Sequence, residues 1–377
     1  MSVRNAITET YGCRLPVFAF AHSAEVVAAV TRAGGIGVLG ALDMTAEALD
    51  AALTYIDEHV DGLPYGVDIV VPAGTVDAGA DLTFAAALAA IPERHKRFAE
   101  DLLRAHGVPA VGDDYEYPIV KAVGLDVSED SHAHVEVALS HPVRLIVNAL
   151  GPPPSDVVEL AHDRGVKVGA LIGSGRHVEA QLRRNVDLLV AQGTEAGGHT
   201  GEVATMVLVP EVVRAVAGRV PVLAAGGIGS GRQMLAALAL GAAGVWTGTM
   251  WLTSKEAESH IDPVTRQNLL AARSTDTVRS KSMSGKPMRQ LRNAWTDAWD
   301  GPDSPGCLPA PLQGIVHHAA IPRFRAARTA DLCGYPAGQV IGQFGQPRTV
   351  AELMAALEGE FDDAGRQIVR TLSPSAR

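Results

Sequence analysis

The sequence predicts an α/β fold: a closed (β/α)8 TIM barrel with a small, mainly helical second domain inserted after the last barrel strand. Three observations carry this. Eight short apolar runs alternate with helical patterns, the arrangement of a parallel sheet with crossover helices. The runs are rich in Val, Ile, Leu and Ala with little polar alternation, as strands buried on both faces require. Glycine clusters follow the later runs, at the strand ends where a barrel keeps its ligand site.

The eight runs are 17–21, 35–39, 66–71, 144–149, 167–172, 188–191, 220–224 and 244–247. Between the first two, Ser23 opens a helix with Val26, Val27 and Val30 on one stripe, and Gly34 and Gly35 end it. Residues 45–60 carry the next helix. Residues 81–139 exceed what one crossover needs and are read as two helices separated by a turn at 112–117. Ser155 begins a helix that runs to Arg164, with Gly165 as its stop. Ser230 and Gln233 form a capping-box pattern ahead of 234–240.

After Thr253 the texture changes. Residues 255–270 and 288–298 read as helical, with the polar stretch 274–287 between them. Residues 301–311 hold four prolines in eleven positions and must be irregular. The expected organisation is therefore a barrel over 1–254, a small, mainly helical second domain over 255–334, and a C-terminal segment, 335–377, returning to the barrel. In that last segment 340–361 forms a turn and a final helix. Trp295 and Trp299, four apart, share one helical face and are expected to pack the second domain.

Composition narrows the function classes. Of 377 residues, 47% are apolar and 20% charged, enough for a large core and incompatible with disorder. Forty-two acidic against 32 basic residues give a formal charge of −10, with no clustered basic stripe, which argues against a nucleic-acid binder. Cys13, Cys307 and Cys333 are too scattered for a disulfide framework or zinc cluster. His132 with His134, and His317 with His318, lack a Cys or carboxylate partner at ligand spacing, so no metal site is expected. The start, MSVRNAITETYG, lacks the apolar core of a signal peptide, and apolar stretches such as 234–245 are broken by glycine and too short for a membrane span. A cytoplasmic protein handling a small molecule is the expectation, with a homodimer left open.

Two segments carry the chemistry. The first, 191–201, follows a buried run and holds four glycines, Gln192, Glu195 and His199. Its glycines permit positive φ and close backbone approach to a ligand. His199, on a loop at the mouth, is the catalytic candidate; Glu195 reads either as an acid or base or as a carboxylate that organises the loop. The second comprises 224–231 and 246–249, where glycine turns after two consecutive strands pool backbone N–H groups into an anion pocket. After the seventh and eighth strands of a barrel this is the usual phosphate site.

Together these segments resemble the nitronate monooxygenase family, FMN-dependent (β/α)8-barrel enzymes also called 2-nitropropane dioxygenase-like proteins. The resemblance spans 15–254 and weakens beyond. It includes Ala33-Gly-Gly-Ile-Gly-Val-Leu-Gly40, Tyr65-Gly-Val-Asp68, Gly151-Pro-Pro-Pro154 and Ser284-Gly-Lys-Pro-Met-Arg289. It implies that Gln192 and Gly193 lie against the flavin ring and that Gly226, Gly227, Gly248 and Thr249 hold the FMN phosphate. It also implies that His199 is the active-site histidine and that Asp187 helps hold the cofactor. Two departures stand out. The family's Ala-Pro-Met stretch is replaced around Phe20 and His22, which become substrate-pocket candidates, and Asp68 stands where Asn is usual. An ionised Asp68 only accepts hydrogen bonds and opposes an anionic reduced flavin.

The resemblance implies an oxidoreductase that oxidises alkyl nitronates or a related small carbon acid with oxygen as acceptor. Within it, His199 either removes a proton or stays protonated to hold an anionic substrate. The alternative is an NAD(P)H-dependent flavin reductase acting on a quinone or enoyl thioester. There the basic stretch 279–289 meets the phosphates of the co-substrate; otherwise that stretch is a solvated loop. A third reading is a non-redox barrel that binds a phosphorylated metabolite.

Overall fold

The structure, a computed structural model, describes residues 3–42, 44–71, 84–111, 127–149 and 151–372. Its strands, in chain order, begin with β1 (Val17–Ala21), β2 (Ile36–Gly40), β3 (Gly66–Ile69), β4 (Leu145–Asn148), β5 (Lys167–Ile172) and β6 (Leu188–Gln192). They continue with β7 (Gly198–His199), β8 (Val222–Ala225) and β9 (Gly244–Thr247). All except β7 are parallel and close into a barrel in the order β1-β2-β3-β4-β5-β6-β8-β9. The seam is made by Val17, Phe18 and Ala19 against Val245, Trp246 and Thr247. Strand β2 starts one residue later than the apolar pattern suggests, because the Gly35 N–H turns back to the Val30 carbonyl and completes the preceding helix stop.

Period-two alternation assigns each strand residue to a face. Phe18, Ile36, Val38, Leu145, Val147, Leu188, Val190, Leu223 and Trp246 pack inside the barrel. Val17, Ala19, Leu39, Val67, Ile146, Ala170, Leu189 and Ala224 face the helices. The helix Ala6–Tyr11 plugs the bottom: Tyr11 meets Phe18 edge-on at 5.4 Å, and the Asn5 amide donates to the Ala243 carbonyl. Ser23 caps Ala24–Arg32 by accepting from Val26 N–H, and Thr45 caps Ala46–His59 by accepting from Ala48 N–H.

The β3–β4 connection differs from the two-helix reading. It contains Phe84–Ala90, Glu93–Ala105 and Val127–Ser140, with Pro92 separating the first two, since proline disfavours helix in the residue before it. The turn read at 112–117 lies outside the described residues.

The segment read as 288–298 helix is also corrected. Met288–Leu291 is strand β11, paired antiparallel with β10 (Thr277–Ser280) and with β7, and only Ala294–Trp299 is helical. Asn293 makes the break: its side chain accepts from Thr296 N–H while the Thr296 hydroxyl takes its backbone N–H, a capping box. Within 255–270, the α-helix is confined to Pro263–Ala271, capped by Asp262. Trp295 and Trp299 pack 5.8 Å apart in a second core with Ile315 and Phe324. Ala87, Ile91 and Leu103 from the β3–β4 connection join that core, so it is not confined to 255–334. The last helix, Val350–Leu372, packs on Gly231–Ala239 and on Ala24–Arg32, and Glu360 accepts from the Gly231 N–H. No described helix is long and apolar enough to cross a membrane.

Candidate active site

Strand β6 delivers Gln192 and Gly193 to the C-terminal mouth. The Gly193 N–H donates to the Ala225 carbonyl at 2.9 Å, which draws the loop across to β8. Approach there is so close that a Cβ on Gly193 would stand 2.1 Å from the Thr205 hydroxyl and 2.5 Å from its amide nitrogen. Glu195 is the loop-organising carboxylate of the two readings. It accepts from Thr205 N–H at 2.9 and 3.1 Å and from the Thr205 hydroxyl at 2.9 Å. It thereby caps Thr205–Val216, whose own N-cap residue is Ala204 and offers no side-chain acceptor.

His199 sits on β7, opposite Met288 of β11. Its Nε2 lies 2.8 Å from the Ser284 hydroxyl, which also accepts from the Lys286 N–H. The residue is exposed at the mouth, yet loop atoms crowd the ring and the Lys286 side chain adds a nearby positive charge. Both disfavour the imidazolium, and the pKa falls to about 4. The imidazole is thus neutral at pH 7. A neutral imidazole at this position is able to accept a proton.

The stretch 279–289 builds the wall of this loop. Arg279 and Arg289 are direct cross-strand partners, an arrangement in which like charges repel. Arg289 donates to the Thr194 carbonyl at 2.7 Å and Arg279 to the Thr200 carbonyl at 3.1 Å, fastening the loop at both ends. Burial, with the Arg279 charge, lowers the pKa of Arg289, while Glu195 opposes that shift. These two roles left only a compositional signal, basic residues in a polar stretch, because they depend on a pairing with β7 far away in sequence.

Gly226 and Gly227 follow β8 with φ of +92° and +70°, a left-handed pair that L-residues avoid. Among the described residues their N–H groups have no acceptor within the chain. The helix Gly231–Ala239 starts just beyond, capped by Ser230. The Gln233 side chain accepts from Gly229 N–H, one residue earlier than in the usual capping box. After β9, Gly248 and Thr249 close the turn. The Thr249 hydroxyl accepts from Gly338 N–H at 2.9 Å and keeps its own proton to donate. Unpaired N–H groups, a free hydroxyl proton and an open glycine turn fit the phosphate of a cofactor. Gly338, which no sequence signal marked, ties the C-terminal segment to this turn, and Gln339 N–H reaches the Glu195 carbonyl at 3.0 Å.

On the opposite side of the mouth, Phe20 lies between Trp246 and His22, with ring centroids 6.1 and 5.0 Å away. The His22 Nδ1 is 3.1 Å from the Gly40 carbonyl, and its ring stacks on His260 at 5.9 Å. Asp68 is buried on the neighbouring strand. Burial pushes its carboxyl well above the usual carboxylate range, which disfavours the ionised form considered from the sequence.

Asp187 is elsewhere, which corrects its reading as a cofactor ligand. It precedes β6, about 16 Å of strand below Gln192 at the usual rise. Its carboxylate accepts from Lys167 Nζ, His162 Nε2 and Val168 N–H at 2.7–2.8 Å. Burial opposes its ionisation, but these hydrogen bonds win and hold the pKa below the ordinary value. A depressed carboxylate stabilises the fold above the unfolded pKa and loses that effect as pH falls through the folded one. Asp187→Asn is therefore expected to cost roughly 1 kcal/mol at pH 7 and less near pH 3. Melting curves at the two pH values check this, and cofactor content should not change.

Among the described residues no group of three or more His, Cys, Asp or Glu side chains gathers as a metal site. His132 lies 3.3 Å from Asp156, and His317 is buried against Trp295.

A parallel barrel with a phosphate-type cradle after its last two strands, and a histidine on the preceding loop, is the frame of a barrel that takes a phosphorylated ligand, and its family makes it an oxidoreductase. The chain belongs to the nitronate monooxygenase family, whose model matches residues 15–360. That family is flavin-dependent. Rv1533, a Mycobacterium tuberculosis protein named as a monooxygenase, is 48% identical over 97% of this chain and 98% of its own length. A Staphylococcus saprophyticus protein named probable nitronate monooxygenase is 29% identical over 78% of this chain and 80% of its own. Among solved structures, nitroalkane oxidase from Streptomyces ansochromogenes superposes with a TM-score of 0.77 at 23% identity, covering 97% of this chain and all of that one. FabK from Thermotoga maritima gives 0.71 at 23% identity, covering 98% and 100%. At these identities the two structures show the shared fold.

Proposed function

We propose that this chain is an FMN-dependent oxidoreductase that oxidises an alkyl nitronate or related small carbon acid, with oxygen as electron acceptor. The observation that carries the reading is the neutral His199 imidazole on the loop that crosses from β6 toward the Gly226–Gly227 cradle. Gly226, Gly227, Gly248 and Thr249 would hold the FMN phosphate, with Gln192 and Gly193 against its ring system. Once bound, the flavin supplies the redox chemistry, accepting electrons from the substrate and handing them on.

The chain's own residues supply the rest. His199 accepts the proton that a carbon acid gives up, and Ser284 holds the ring in one orientation. The exposed Lys286 draws an anionic substrate to the mouth and keeps the imidazole neutral in the same stroke. Arg279 and Arg289 hold the loop at both ends, so the imidazole cannot drift with it. The family membership and the nitronate monooxygenase name of the staphylococcal relative support the substrate class.

The test is an anaerobic visible spectrum before and after adding propionate 3-nitronate. Bleaching of the flavin bands is expected. An unchanged spectrum with nitronate, and rapid bleaching with NAD(P)H, would overturn the reading in favour of a reductase.

A further inference from the structure

His199 takes the hydroxyl at its Nε2 from the connection between β10 and β11, residues 281–287. That connection is held from outside the hairpin as well as within it. It begins as a turn in which the Gly285 N–H donates to the Lys281 carbonyl at 2.8 Å. Ser280 fixes the start by accepting from the Ser282 N–H at 3.0 Å. Gly285 has φ of +81°, and a Cβ there would stand 2.5 Å from the Leu308 carbonyl oxygen and from the Ala310 nitrogen. The turn is therefore pressed directly against 308–310.

One buried side chain fastens these two segments together. The Ser282 carbonyl accepts from the Gln313 side-chain amide at 2.9 Å and from the Trp295 indole N–H at 3.1 Å, which uses both of its lone pairs. The Gln313 amide oxygen accepts in turn from the Leu308 N–H at 3.0 Å. Gln313 lies near the start of the helix Leu312–Ala326 and is wholly buried, as is Ser282. An amide is costly to bury unless both of its ends are bonded, and here both are. Two residues after Ser282, the Ser284 hydroxyl stands 2.8 Å from the imidazole. A shift of the turn by about 1 Å would take that contact beyond hydrogen-bond reach.

We propose that Gln313 is a positioning residue for His199: by holding the Ser282 carbonyl and the Leu308 N–H together, it fixes the turn that presents Ser284 and Lys286 to the imidazole. This rests on the reading of His199 as a proton acceptor. The path runs from Gln313 to Ser282, along the turn to Ser284, and from its hydroxyl to the ring. Gln313 itself, being wholly buried, meets no substrate. With the turn fixed, loop atoms stay packed on the ring and Lys286 stays close, and these two causes disfavour the imidazolium. With the turn released, water reaches the ring, Lys286 moves off, and His199 binds a proton more readily.

The experiment compares Gln313→Met, Trp295→Phe and Ile315→Val with wild type, all as the full chain. Met fills the space of Gln313 without its amide, and Phe keeps an aromatic ring at 295 without the N–H. Ile315, two residues along the same helix, is buried in the second core, so its shortening is the control for loosened packing. Proton binding by His199 is read from histidine NMR signals against pH, the signal being the one that His199→Asn removes. Gln313→Met should bind that proton about tenfold more tightly than wild type, and Trp295→Phe about threefold. On a neutral nitroalkane, kcat should fall about tenfold in Gln313→Met while KM stays within about twofold. Ile315→Val should lower the melting temperature by about 2 °C and leave the His199 titration as in wild type. An unmoved titration in Gln313→Met, or an equal movement in Ile315→Val, would overturn the proposal. Should Gln313→Met fail to fold, Trp295→Phe decides alone, and an unmoved titration there overturns it. A wild type that oxidises no nitroalkane or nitronate would overturn the functional reading instead, since the NMR comparison reads His199 without turnover.

Discussion

Replacing His199 with Asn is expected to lower turnover on a carbon acid that must still lose its proton, such as a neutral nitroalkane, by roughly a hundredfold or more while FMN stays bound. At about 1.36 kcal/mol per tenfold, this is a barrier increase of about 2.7 kcal/mol, in the range for a lost general base. Asn keeps a polar side chain on β7 but provides no nitrogen able to take a proton at neutral pH. The cradle at Gly226, Gly227, Gly248 and Thr249 is untouched, so the ratio of flavin to protein should match wild type. The pH profile gives a second readout. A base must be unprotonated to act, so kcat/KM rises with pH through the pKa of His199 and is flat above it. With that pKa held down to about 4, the profile should be level from about pH 6 to 8 and fall only in acid. An acid limb near 6.5, or unchanged turnover in the Asn variant, removes His199 from the assigned role.

The second large effect is expected from Gly193→Ala. The new methyl would stand 2.1 Å from the Thr205 hydroxyl and 2.7 Å from a Glu195 carboxylate oxygen. These are the groups that cap Thr205–Val216 and shape the loop, so relief requires either breaking the cap or pushing the loop into the mouth. Overpacking of this kind costs about 1–3 kcal/mol, and FMN occupancy should drop about tenfold. Gly248→Ala is the informative comparison. Its φ of −127° suits alanine, and a Cβ there meets nothing of the chain closer than 3.8 Å. The fold should accept it without a change in melting temperature, while a methyl in the phosphate turn weakens FMN binding. Melting curves and flavin-to-protein ratios for the two variants separate a cradle defect from a folding defect. Equal flavin content in wild type and Gly248→Ala would show that the phosphate lies elsewhere.

The barrel was legible in the sequence because its strands are buried on both faces. Runs such as Leu-Leu-Val-Ala and Val-Trp-Thr need no partner to be recognised, since burial on both faces excludes polar residues locally. Ser23, Thr45 and Ser230 marked helix starts for an equally local reason: the cap bonds to a backbone N–H three residues on. His199 and the glycine turns were legible as residue types at strand ends, a position that barrel topology makes functional.

What escaped depended on distant chain. Met288–Leu291 reads as helix by itself and becomes a strand because β10 pairs along one edge and β7, about ninety residues away, along the other. Glu195 is a cap only because the loop folds back on Thr205, and Arg279 faces Arg289 only through the register of β10 and β11. Asp187 and Asp68 show the same limit from opposite directions. As residues they are the same acid. The tertiary structure puts Asp187 at the barrel base among Lys167, His162 and the Val168 N–H, where hydrogen bonds keep it charged. It puts Asp68 inside the mouth between glycine and valine, where loss of water pushes the carboxyl well above the usual carboxylate range. Sequence by itself determined which stretches are buried, where helices begin and which groups reach the mouth, because those depend on near neighbours. The charge state and partner of each group were decided only by the fold, because electrostatic energy depends on what surrounds a side chain in space.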